Sequence, residues 1–260
     1  MRAVFIRGLK PLLANTVYRI GTVRTIVWGP CKGLRYRIFP EYGLAPLCGR
    51  WEPEAQRLMI KHIRPGSVTY DVGANYGIHT LLMARLVGRD GHVYAFEPVP
   101  EIFSCLKENI TMNGFSNVTW LEFAADSQIR NHPFFRGHHA GAGALAGEGD
   151  VVGKGLIVKT ITLDAFVFER NNCPPDFIKI DVEGAESRVL RGAERILKTL
   201  QPVLLVDLHN PDQDVAVGQV LTEFAYEAYR VENGAKVKDL TKGWPNPDGL
   251  WGQFIAFPKR

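Results

Sequence analysis

The sequence predicts an α/β domain built on a doubly wound, Rossmann-like, mostly parallel sheet. Three observations carry that prediction. Short apolar runs of strand character alternate with longer runs whose apolar residues recur at helical spacing. Several strand-like runs are apolar throughout, as strands covered on both faces must be. One strand-to-helix junction, DVGANYG at residues 71–77, has two glycines, an acid and an amide where a plain turn needs one glycine.

Residues 1–50 read as an N-terminal appendage and residues 51–260 as the sheet domain. Arg7, Lys10, Arg19 and Arg24 keep every early apolar run too short for a membrane span. Those charges and Pro11 also break up any signal-peptide core. The segment is expected to dock on the core, with peripheral contact to a membrane surface as the other reading. Glu52 to Ile63 reads as a helix with Pro53 in its first turn. Val68 to Val72 is a strand. Ile78, Leu81, Leu82 and Leu86 mark the next helix, which Gly88 stops. His92 to Phe96 is the second strand, Pro100 to Met112 a helix ended by Asn113-Gly114, and Val118 to Phe123 the third strand. Residues 130–160, with the run RGHHAGAGALAGEGD, break the rhythm. A mobile loop is expected there, either a lid or a surface insertion, between strands near Pro133–Phe135 and Leu156–Ile161. Phe177 to Ile180 is a strand, Ala185 to Leu200 a helix, and Pro202 to Leu208 another strand. A closing hairpin ends in Gln253 to Phe257.

Composition limits the function classes. With 46% hydrophobic and 22% charged residues, the 260-residue chain can bury a sizeable core and is not a disordered segment. A net charge of +4 without a long basic block gives no reason to expect nucleic acid. Cys31, Cys48, Cys105 and Cys173 show no CxxC spacing. They read as reduced thiols of a cytoplasmic protein, with neither a disulfide framework nor a zinc site.

In an open α/β sheet, ligands bind beyond the carboxyl ends of the strands. Asp71, Gly73, Asn75 and Gly77 sit at such an end. Roughly twenty residues later Glu97 ends the second strand, where an acid can accept both hydroxyls of a ribose. The loop is not G-x-G-x-x-G, and Asp71 would repel a pyrophosphate. S-adenosylmethionine fits better, because it has a ribose and an ammonium but no phosphate. Asp126, after the third strand, is expected to meet the adenine amino group. Any one of these acids alone would read as a cap or loop residue. Asp181 ends a later strand, and Glu183 and Glu186 after it read as helix-dipole complements. Asp207 and His209 share one face at the end of the neighbouring strand. His209 reads equally as a structural histidine and as a general base or metal ligand.

DVGANYGIHT, YAFEPVPEIFSCLKENI, ITLDAFV, FIKIDVEGAESRVLRGAE and the strand ending near His209 occur in a distinctive order, after the lead-in GRWEPEAQRLMIKHIRPG. Over about residues 49–210 the chain thereby resembles the FkbM family of S-adenosylmethionine-dependent methyltransferases. The resemblance implies the seven-stranded class I methyltransferase fold and O-methylation of a hydroxyl on a sugar, polyketide or other small natural product. His209 is then expected as the base, with Asp181 beside it near the methyl group. Mg²⁺ held by Asp181 with Asp207 or His209 is a variant of that expectation. The competing readings are a non-catalytic nucleotide-binding protein, an NAD-dependent oxidoreductase, and a methyltransferase acting on RNA or protein.

Overall fold

The structure is a computed structural model and describes residues 21–39, 42–136, 143–145 and 156–259. Residues 1–20 of the segment that carries the membrane-surface reading, and most of the expected loop within 130–160, lie outside these. An antiparallel hairpin, β1 (Val23–Thr25) and β2 (Arg35–Arg37), comes first. Then follow α1 (Pro53–His62), β3 (Val68–Val72), α2 (Ile78–Val87), β4 (His92–Phe96), α3 (Pro100–Thr111) and β5 (Val118–Leu121). Four short strands come next: β6 (Ala124–Ala125), β7 (Asn131–Arg136), β8 (Gly143–Leu145) and β9 (Leu156–Ile161). A π-helical turn (Ala165–Glu169) leads to β10 (Phe177–Ile180), α4 (Glu186–Arg191), α5 (Glu194–Thr199) and β11 (Val203–Asp207). The order closes with α6 (Pro211–Glu223), β12 (Tyr226–Arg230) and β13 (Gln253–Pro258).

Seven strands form the main sheet in the order β12-β13-β11-β10-β3-β4-β5. The pairings among β11, β10, β3, β4 and β5 are parallel, and β13 runs antiparallel to both its neighbours. This is the mostly parallel, doubly wound architecture the sequence predicts. One face is covered by the N-terminal hairpin with α1, α2 and α3, through Tyr36, Met59, Leu81 and Leu106. The other is covered by α4, α5 and α6, through Leu190, Leu197 and Leu221 against Tyr70.

Several elements depart from expectation. The third strand ends at Leu121, and Ala124–Ala125 pair instead with β9 in a second sheet, β6-β9-β7-β8. The helix over 185–200 is two helices. A Cβ on Gly192 would lie 2.1 Å from the Asp126 carbonyl oxygen, so the chain bends there against that backbone. The Asp164 carboxylate then caps the second helix by accepting from the Arg195 and Ile196 amides at 2.8 and 2.9 Å. Finally, α6 and β12 occupy a stretch with no predicted element. Among the described residues no helix is long and apolar enough to cross a membrane. All four cysteines are free thiols.

The parallel register sets Lys179 of β10 beside Asp71 of β3 on the face toward α2. Its ammonium lies 3.6 Å from Asp71 Oδ1 and 3.1 Å from Asp181 Oδ2, and both Lys179 and Asp71 are buried. Thr80 on α2 donates to Asp71 Oδ2 at 2.6 Å. A buried charge survives only with such partners. Burial opposes the Lys179 charge, yet Asp181, Asp71 and Glu52 outweigh it and raise its pKa above the usual lysine value.

Lys179→Met leaves Asp71 and Asp181 without their cation and is expected to destabilise the protein by about 3–5 kcal/mol in urea denaturation. Asp164→Ala removes a two-bond helix cap away from the sheet tips. It is expected to cost about 0.5–2 kcal/mol in the same assay.

Candidate active site

The tips of β11, β10, β3, β4 and β6 open into one cavity of about 680 Å³. That size suits a small-molecule site, roughly 300–1,000 Å³. Of the residues singled out from the sequence, Gly73, Asn75, Gly77, Glu97, Asp181, Asp207 and His209 line it. Asp71 and Asp126 do not. Asp71 lies beneath the loop, fully buried between Thr80 and Lys179, so its carboxylate faces protein rather than ligand. Asp126 is also fully buried. Both its oxygens accept from Arg188, at 2.7 and 2.6 Å, and Ala124 and Ala125 line the cavity in its place. The expected contact of Asp126 with an adenine amino group is therefore not the geometry found.

The glycines of the loop serve the protein's own packing. Gly73 has φ +79°, and a Cβ there would sit 1.8 Å from the Asp181 carbonyl oxygen. Gly77 starts α2 at φ +86°, with Leu106 Cδ1 at 2.5 Å from the missing Cβ. Both positions need the left-handed region that glycine tolerates. The loop's amides are also used internally. Gly73 and Ala74 donate to the Phe96 carbonyl, Asn75 to Glu97 Oε2 at 3.0 Å, Tyr76 to Asn75 Oδ1, and Gly77 to the Ala74 carbonyl. No amide of residues 73–77 is left to cradle a pyrophosphate, which argues against a dinucleotide.

Glu97 accepts from Asn75 N–H through one oxygen and from Val99 N–H, at 2.9 Å, through the other. Each oxygen keeps a further acceptor position, and Glu97 lines the cavity. Burial pushes the Glu97 carboxyl up to about 7, against the two amides that favour its charge.

At the other end, His209 Nδ1 lies 2.8 Å from Glu186 Oε1. Its Nε2 lies 3.5 Å from Asp181 Oδ1 and 3.6 Å from Glu183 Oε2. Burial lowers the imidazole pKa, but the Glu186 hydrogen bond and the charges of Asp181 and Glu183 outweigh it and raise it to about 9. Burial pulls Asp181 the opposite way from Lys179 and His209, which hold its carboxyl below the usual value. Asp207, raised to about 6 by burial and by Asp181, accepts from Gln253 at 3.2 Å. Asp181, Asp207 and His209 can each offer one ligand atom, all within 4.8 Å of one another.

Sequence reasoning passed over several residues of this cavity. Lys179 was hidden in an apolar strand, although a lysine inside FIKI was itself a signal. Glu186 reads from the sequence as a dipole complement, yet it is buried and holds His209. Phe39 and Tyr42 reach the cavity from the N-terminal segment, and Trp51 and Glu52 from just before α1.

The chain has recognisable relatives. A family model described as the methyltransferase FkbM domain matches residues 71–231. The hexuronic acid methyltransferase AglP of Haloferax volcanii is 30% identical over 176 residues, 67% of this chain and 69% of that protein. The 31-O-demethyl-FK506 methyltransferase FkbM of Streptomyces tacrolimicus is 28% identical over 196 residues, 64% of this chain and 74% of that protein. Among solved structures, the methyltransferase FkbM of Methylobacillus flagellatus KT is 17% identical with a TM-score of 0.49, covering 84% of this chain and 54% of that one. The chain belongs to the FkbM methyltransferase family and is an S-adenosylmethionine-dependent methyltransferase.

Proposed function

We propose that the protein methylates a hydroxyl group of a small molecule, a sugar, polyketide or other natural product. The observation that carries this reading is that Glu97 and His209, the latter held from behind by the buried Glu186, line one cavity. An acceptor for ribose hydroxyls and a titratable group for the acceptor's proton then face the same space. The donor set fits S-adenosylmethionine: carboxylates line the cavity and the loop has no free amide for a phosphate. When bound, the cofactor supplies an electrophilic methyl group on a cationic sulfur. Glu97 accepts the ribose hydroxyls. Phe123, Ala124, Ala125 and Phe134 offer an apolar bed beside it for the adenine. Glu186 fixes the His209 ring so that Nε2 faces the cavity, and Asp181 holds it there electrostatically. An alcohol needs help losing its proton as it attacks, and His209 Nε2 takes that proton. Holding oxygen and methyl carbon in line contributes on the order of 7–11 kcal/mol.

A second reading adds Mg²⁺ on Asp181, Asp207 and His209. The convergence of their ligand atoms favours it, and the Lys179 ammonium beside Asp181 opposes it. Activity that survives dialysis against a chelator would remove this variant.

Transfer of tritiated methyl from S-adenosylmethionine into a panel of hydroxylated natural products tests the main reading. Label appearing only in protein or RNA would overturn it. His209→Gln and Asp181→Asn are each expected to lower kcat by roughly 10²–10⁴-fold.

Two pH dependences follow from the site. An imidazolium cannot accept a proton, so kcat/KM is expected to rise with pH between 7 and the His209 pKa of about 9. A bound sulfonium shifts that limb downward by repulsion. His209→Gln should flatten it, and a rate that falls over this range would exclude His209 as base. Ribose hydroxyls need the charged form of Glu97, which is lost as pH falls through about 7. Calorimetry with S-adenosylhomocysteine should therefore show weaker binding at pH 6 than at pH 8. Glu97→Gln should abolish that difference and weaken binding by roughly 10–100-fold.

A further inference from the structure

The cavity has a wall that the family match does not include. Phe39, Tyr42, Trp51 and Glu52 line it, and the matched span begins at residue 71. Four rings run in series. Phe39 stacks on Tyr76 with centroids 3.5 Å apart and planes at 9°, Tyr42 meets Tyr76 edge-on at 5.4 Å, and Tyr42 lies over Trp51 at 3.9 Å. At the end of this aromatic wall stands Glu52, held at φ 41° and ψ 60°. Its left-handed backbone is unfavourable for a residue with a Cβ, and the following proline restricts it further. Glu52 Oε2 lies 3.2 Å from Gln253 Nε2, which also reaches Asp207 at 3.2 Å, so the two carboxylates face each other across one amide. Behind them His79 is 4% exposed, lines the cavity, and its Nε2 has no hydrogen-bond partner among the described residues. Glu52 Oε2 lies 3.8 Å from it. Burial and Lys179 keep His79 neutral, with its pKa lowered to about 4.

Charge decides what such a wall accepts. Among the described lining residues, Glu52, Glu97, Glu101, Asp181, Glu183 and Asp207 face one lysine and two histidines. Lys179 is already engaged by Asp71 and Asp181. Aromatic faces cover the C–H faces of a sugar ring, carboxylates accept its hydroxyls, and an added carboxylate would meet like charge. We infer that the wall of Phe39, Tyr42, Trp51 and Glu52 is an acceptor subsite for a sugar ring that carries no anionic group, and that Glu52 is the residue that excludes uronic acids. The known hexuronic acid methyltransferase relative therefore differs from this protein in acceptor charge. This inference rests on the methyl-transfer reading above, since the subsite presents the acceptor to the same cavity.

The test uses the full chain saturated with S-adenosylhomocysteine. Methyl glucoside, methyl glucosaminide and methyl glucuronide are titrated and followed by tryptophan fluorescence and saturation-transfer NMR. The glucoside and glucosaminide should bind, and the glucuronide should bind at least about tenfold more weakly, as like-charge juxtaposition demands. Glu52→Gln should narrow that gap, and Trp51→Ala should weaken all three alike. The inference is overturned if the glucuronide binds as tightly as the glucoside, if none of the three binds, or if Glu52→Gln leaves the gap unchanged. S-adenosylhomocysteine calorimetry on each variant separates the cases. Loss of cofactor binding in the wild type sinks the methyl-transfer reading, whereas intact cofactor binding without glycoside binding sinks only the subsite.

Discussion

The site depends on one buried cation. Lys179 bridges the carboxylates of Asp71 and Asp181 at the tips of neighbouring strands. Replacing such a pair by apolar residues often costs nothing, because desolvation consumes most of the attraction. Its value here is positional. Asp71 is tied to α2 through Thr80, and the Asp181 backbone lies where a Gly73 side chain would be. Lys179 thereby locks the strand that carries the glycine loop to the strand that carries Asp181. Any shift between β3 and β10 would separate Glu97 from His209, which are held through Asn75 on one side and Glu186 on the other.

Lys179 lines a cavity whose walls differ in character. Toward β4 and β6 the lining is mostly apolar, with Glu97 and Glu101 as its carboxylates. Toward β10 and β11 the lining is carboxylate-rich. A ligand with a flat apolar base, a ribose and a positive centre matches that gradient along its length. A dinucleotide does not, since its pyrophosphate would fall where the loop's amides are already spent.

Much of this could be read from the chain, and the parts that could not share a cause. β3, β4, β10 and β11 are apolar runs ending in acids, so strand and tip were both visible. The break at Gly192 was not, because it arises from contact with the distant Asp126 carbonyl inside a run that reads as continuous helix. α6 had its start signal, Asn210 capping the Gln213 amide before Pro211. The residues after it mix acids, glutamine and glycine, so its apolar stripe is faint. Asp126 follows β6 of the second sheet rather than the third strand, and its partner Arg188 lies 62 residues away, a pairing that turns the carboxylate from the cavity. The aromatic wall was illegible for the same reason: Phe39 gains its meaning only by stacking on Tyr76.

Backbone strain supports the division of labour. Among the described residues six non-glycine positions have positive φ, and three of them, Glu52, Asn75 and Glu183, line the cavity. Asparagine tolerates the left-handed region, but for a glutamate it costs on the order of 1–3 kcal/mol. That strain persists only where the surroundings overdetermine it. Asn75 turns its amide onto Glu97. Glu183 brings its carboxylate to His209, where it helps keep the imidazole charged. Glu52 breaks the helical direction just before Pro53, which turns its side chain toward Gln253 and His79 instead of along α1. In an unstrained conformation Glu52 would serve as an ordinary acid at the start of a helix. The chain instead stores strain at the three loops that aim polar groups at one space, and the helices behind them carry the stability that offsets it.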